Sequence, residues 1–102
     1  MGTFSQALYA REEVTYMCDK LERVIVVIES QDSNAWAQVK MKTSSGSQMY
    51  SIRASGSNFD SRASQIARDL KDCKKVRFYY DSSRNGSNVI LVNRAEITLL
   101  HR

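Results

Sequence analysis

Proline is missing from this 102-residue chain, histidine and tryptophan occur once each, and cysteine occurs twice. With no proline, four glycines and a 42% hydrophobic fraction, the composition is that of one compact domain. A chain of this length buries roughly two-thirds of its unfolded surface, enough for one core, which excludes two separate active lobes. The lone histidine, His101, stands beside the C-terminus, where a reacting geometry is hard to hold. Nucleophilic catalysis needs a positioned base, and none is offered, so the chain reads as non-catalytic. Cys18 and Cys73 lack C-x-x-C spacing and histidine neighbours, so no zinc site is expected. Nothing implies another metal or a cofactor.

The two cysteines are either one disulfide or two buried thiols. Paired, they would close a loop of about 55 residues, worth ~3–4 kcal/mol by chain entropy. A secreted domain would profit from that bond, and a cytosolic one could not keep it. The longest apolar run, Val24 to Ile28, falls far short of the ~20 residues of a membrane-spanning helix. Met1 opens no charged start followed by an apolar stretch, so an export signal is expected to be absent or already removed. Fifteen Lys and Arg against eleven Asp and Glu leave a net charge of +4. That balance favours acidic partners without demanding them.

Periodicity supplies the elements. Residues up to about 20 read as an N-terminal arm, with a strand start at Val14 to Met17 or a helical turn at Met17 to Leu21 both open. Val24 to Ile28 is β-branched throughout, the mark of a strand buried on both faces or nearly so. Gln31 to Asn34 is a turn. Ala35 to Lys42 alternates, with Ala37, Val39 and Met41 inward and Trp36, Gln38, Lys40 and Lys42 outward. Thr43 to Ser47 connects to a third strand, Gln48 to Ala54, with Tyr50 and Ile52 inward and Met49, Ser51 and Arg53 outward. Asp60 or Ser61 is expected to cap a helix, whose apolar stripe is Ala63, Ile66, Ala67, Leu70 and Cys73. Lys75 to Asp81 alternates again through Val76, Phe78 and Tyr80. Ser82 to Asn88 is a loop, in which Asn85-Gly86 reads as a tight turn in preference to a glycosylation acceptor. Val89 to Leu100 is the last strand or bent pair.

This order, β-β-β-α-β-β with one helix between strands three and four, predicts a mainly β domain, a five-stranded OB-fold barrel. A split α+β sheet without closure is its rival. Trp36, outward beside lysines, could stack on a nucleobase or a sugar ring, or simply cover a barrel edge. Ser55, Ser57 and Asn58 could hydrogen-bond a polar ligand, although loops use such residues anyway.

From Gly46 to Tyr80 the sequence resembles the receptor-binding B subunits of AB5 bacterial toxins. The cholera and heat-labile enterotoxin group is nearest, with pertussis-like B subunits a looser second. Gly56-Ser57-Asn58-Phe59-Asp60-Ser61 resembles that group's Gly-Ser loop running into an Asp-Ser helix start. Ile66, Lys71-Asp72, Val76 to Tyr80 and the strands Ala37 to Lys42 and Tyr50 to Ala54 follow in the same order.

The resemblance implies a secreted or periplasmic homopentamer that binds glycans of host glycolipids or glycoproteins and carries a catalytic A subunit. It implies a helix lining a central pore, here Arg62, Ile66, Arg68 and Lys71. It places glycan contacts at Ser57, Asn58, Asn93 and Arg94, with Trp36 as the exposed aromatic. The enterotoxin group has its second cysteine and a tryptophan in the penultimate strand, where Val89 to Val92 has neither, so the family disulfide does not carry over. A different class of function also fits. Lys40, Lys42 and Arg53 lie on the face with which OB-folds bind single-stranded nucleic acid, beside Trp36. A third expectation is a small cell-surface or periplasmic interaction domain with no ligand.

Overall fold

The computed structural model describes residues 11–81 and 88–100. Six strands and one helix follow in order: β1 (Arg11–Met17), β2 (Leu21–Glu29), β3 (Asn34–Thr43), β4 (Gly46–Ser55), α1 (Phe59–Lys71), β5 (Cys73–Asp81) and β6 (Val89–Leu99). The domain is mainly β, and its strands form one mixed sheet in the order β1-β5-β6-β4-β3-β2. β4 and β6 run parallel, and the other neighbours are antiparallel. The Asn85-Gly86 turn and His101 lie outside the described residues.

The alternation of β3 decides its placement. Ala35, Ala37, Val39 and Met41 are all 0% exposed, and Tyr50, Ile52 and Ala54 meet them from β4. A two-residue turn joins these strands, because Thr43 pairs with Gly46. Small residues bring the helix close: Ala63 of α1 packs with Ala35 and Ala54, flanked by Val26 and Phe59. Ala67 and Leu70 bury the rest of the helical stripe, while Cys73 begins β5 instead of extending that stripe. The helix starts two or three residues earlier than expected. Asn58 is its N-cap, without a side-chain cap bond, and the Asp60 carboxylate accepts from the Ser61 N–H inside the first turn at 2.8 Å.

Three expectations need correction. The sheet has six strands, not five, and no ladder joins its end strands β1 and β2 among the described residues, so hydrogen bonds do not close it into a barrel. The arm expected to about residue 20 is, from Arg11 to Met17, a strand paired with β5. β2 is not buried on both faces. It lies at the sheet edge, with Ile25 39% and Ile28 50% exposed.

The sheet nevertheless curls. Six flat strands would set the outermost two about 24 Å apart at the usual spacing. β1 and β2 are linked by a single 3-10 turn, Cys18–Lys20, which reaches at most about 14 Å. The two ends of the sheet must therefore approach each other at this turn, which touches both β3 and β5. Glu22, Lys74 and Asn93 are skipped in the strand registers, and each such extra residue bends its strand and increases its twist. The Cys18–Cys73 disulfide fastens the turn to the first residue of β5.

Aromatic rings fill the space inside the curl. Phe78 of β5 stacks on Tyr50 of β4 at 4.5 Å between centroids, and Tyr16 of β1 meets Tyr50 edge-on at 5.6 Å. The Tyr16 and Tyr50 hydroxyls share a 2.7 Å hydrogen bond. Burial first, and that bond second, push the Tyr50 phenol well above its ordinary value near 10. Burial and the nearby Glu12 carboxylate raise Tyr80 as well. In the unfolded chain both phenols ionise near pH 10, whereas the folded chain keeps them neutral. Their contribution to stability is thus complete below about pH 10 and is lost as pH rises beyond it. Tyrosinate absorbance and circular dichroism, followed together, should show Tyr50 ionising only as the fold is lost. A Tyr50→Phe chain should lose stability less steeply above pH 10. Reversible ionisation of every tyrosine in a folded chain would contradict this.

Candidate functional site

The site begins with a fault in a strand. Val92 pairs with Tyr80 and Arg94 with Tyr79, so Asn93 has no partner in β5. Bulges of this kind re-aim a side chain and open space beside it. Asn93 stands where two hollows meet on the outer face of the sheet. The larger, about 340 Å³, lies between Trp36 of β3, Arg53 of β4 and Leu91 and Asn93 of β6, with Asp81 at the end of β5. The smaller, about 290 Å³, is bounded by Tyr79, Tyr80 and Arg94.

Cross-strand pairing sets the walls of the larger hollow. Trp36 stands directly opposite Arg53, and Ser51 opposite Leu91. Ser51, expected outward, is only 4% exposed and forms part of the lining. The Asn34 side-chain oxygen accepts from Arg53 Nε at 3.2 Å and Nη2 at 3.0 Å. That clamp holds the guanidinium of the residue opposite Trp36, and among the described residues its other N–H groups make no hydrogen bond. An aromatic wall, an aliphatic wall and a few planar polar groups converge on one space, the usual make-up of a small-molecule site.

Arg94 is engaged differently. Its guanidinium lies over the Tyr79 ring, 4.6 Å from the centroid, and bonds the Glu96 carboxylate at 2.7 Å. Tyr79 donates to the other Glu96 oxygen at 3.0 Å. The pair is exposed and contributes little to stability, yet it holds the guanidinium along the rim of the smaller hollow.

The structure therefore joins Trp36, Asn93 and Arg94, three of the five expected glycan contacts, around one bulge. Ser57 and Asn58 do not line this space. They form the exposed turn between Gly56, whose φ of +99° suits glycine, and the start of α1. Among the residues expected to line a pore, Ile66 packs against the core, whereas Arg62, Arg68 and Lys71 are exposed. Arg62 reaches the Ser55 carbonyl at 3.4 Å, and Arg68 bonds Gln65 at 2.8 Å.

Asn34, Asp81 and Leu91 were not singled out in the sequence. Their part follows from strand pairing, which no local pattern announces. No group of His, Cys, Asp and Glu among the described residues could hold a metal ion. No helix of the described residues is long and apolar enough to cross a membrane. Compared with known proteins, the chain matches no family model and is not significantly similar to any curated protein.

Proposed function

We propose that the chain is a secreted, non-catalytic glycan-binding module of OB-fold type, which takes up sugar headgroups as the toxin B subunits it resembles do. The observation that carries this reading is the bulge-centred cleft on the outer face of the sheet. A pyranose ring has an apolar face that suits the Trp36 indole and a rim of hydroxyls that suits Asn93, Arg53 and Asp81. The strand order supports the OB-fold reading. β1 and β2 are one stretch of chain interrupted only by Cys18–Lys20, so both ends of the sheet belong to that stretch. The disulfide supports secretion, because such bonds persist where thiols are oxidised.

Single-stranded nucleic acid is the second reading, favoured by Trp36 and Arg53 side by side on β3 and β4. The Asp81 carboxylate in the same cleft and the Glu96 partner of Arg94 weigh against a phosphate backbone.

A glycan array followed by affinity measurements on two variants tests the proposal. Trp36→Ala should weaken binding of the selected glycan by about 30-fold or more, as loss of a stacked aromatic anchor does. Asn93→Ala, at an exposed position, should weaken it with unchanged circular dichroism. Retention of full affinity by both variants would place any glycan elsewhere and remove the basis of this reading.

A further inference from the structure

β2 carries a contradiction between sequence and position. Val24, Ile25, Val26, Val27 and Ile28 make the continuous β-branched run of a central strand, yet β2 ends the sheet and pairs only with β3 among the described residues. Among the described residues its other edge has no strand partner, so a row of backbone N–H and C=O groups stands open there, beside the exposed side chains of Ile25 and Ile28. Open apolar edges of this kind invite another strand unless they are short, charged or covered.

We infer that the open edge of β2 pairs with the same edge of a second copy of this chain, antiparallel about a two-fold axis at Val26. The sequence of β2 is complementary to itself in that register and in no other register that keeps its faces in phase. With Val26 opposite Val26, Ile25 meets Val27 of the second copy, and Val24 meets Ile28. Arg23 then stands opposite Glu29, twice by symmetry. Both charged residues are exposed in the single chain, so each is available for that contact. A shift of two residues in either direction sets Glu29 against Leu21 or Ile25 and leaves Arg23 without an acid. A shift of one residue turns the inward side chains outward. Opposite charges placed directly across an antiparallel pair stabilise it, and like charges destabilise it.

Such a pairing is isologous: one edge serves both copies and the assembly closes at two. The five-fold ring implied by the toxin resemblance instead joins two unlike edges. The inference does not rest on the glycan reading, since β2 contributes no residue to the cleft.

Sedimentation of the purified chain with and without charge reversal is the test. The wild-type chain should sediment as a dimer of the 11.6 kDa protomer. Arg23→Glu should raise the dissociation constant about tenfold or more, with circular dichroism unchanged. The double variant Arg23→Glu/Glu29→Arg should restore the dimer, because the pair is then reversed and not removed. A wild-type monomer, a five-fold ring, an Arg23→Glu dimer of unchanged affinity, or failure of the double variant to recover would each overturn the inference.

Discussion

Replacing Phe78 by alanine is expected to lower the stability of the chain by about 3–5 kcal/mol. Phe78 is the largest fully buried side chain, stacked on Tyr50 and tilted against Tyr16. It stands on β5, whereas its ring partners stand on β4 and β1, so its removal empties space shared by three strands. Among the described residues no ladder closes the sheet along its seam, so these rings hold its curvature, and collapse around the gap would expose Tyr50. Marginal domains of this size have about 5–15 kcal/mol in all, so the variant should populate unfolded chain at modest urea. Leu100→Ala, at a half-exposed site, should change stability by no more than about 0.5 kcal/mol. Urea unfolding of both variants checks the contrast, and equal midpoints would contradict the assignment of the core.

The second large effect is expected from the disulfide. Cys18 and Cys73 are 55 residues apart, and closing such a loop stabilises a folded chain by about 4 kcal/mol on the chain-entropy model. Its position adds to this. The bond ties the turn between β1 and β2 to the start of β5, where among the described residues the seam between the two end strands has no ladder. Reduction, or the double change Cys18→Ser/Cys73→Ser, should therefore shift the urea midpoint strongly downward and release β1 first. Hydrogen exchange should show β1 losing protection before β3 and β4, which lie inside the sheet. A reduced chain with an unchanged midpoint and a protected β1 would show that packing alone holds the seam.

How far these features can be read from residues depends on their range. β3 and β4 were legible because period-two alternation is a local pattern: Ala37, Val39 and Met41 must share a face once the stretch is extended. The helix was legible for the same reason, through Ala63, Ala67 and Leu70. β1 was legible only as one of two open readings, a strand start at Val14 to Met17, since Val14 and Tyr16 are only two inward positions among Glu12, Glu13 and Thr15. β2 was misplaced for a physical reason. A β-branched run reports that both faces can be covered, but not what lies beyond the strand's edge. The cleft was half legible. Outward alternation pointed to Trp36, and the resemblance pointed to Asn93 and Arg94. Their convergence depends on the bulge at Asn93 and on β6 running parallel to β4, and both arise from pairing between distant segments. Ser57 and Asn58 were grouped with them by resemblance alone, and the fold places them at the start of the helix instead.

Trp36 is the single tryptophan of the chain, so its fluorescence reports on the cleft and nowhere else. Titration with defined oligosaccharides should shift its emission in a saturable way, and the shift should survive high salt because no phosphate neutralisation drives it. Emission that stays unmoved by every sugar, yet responds to single-stranded oligonucleotide and loses that response as salt rises, would contradict the glycan-binding account.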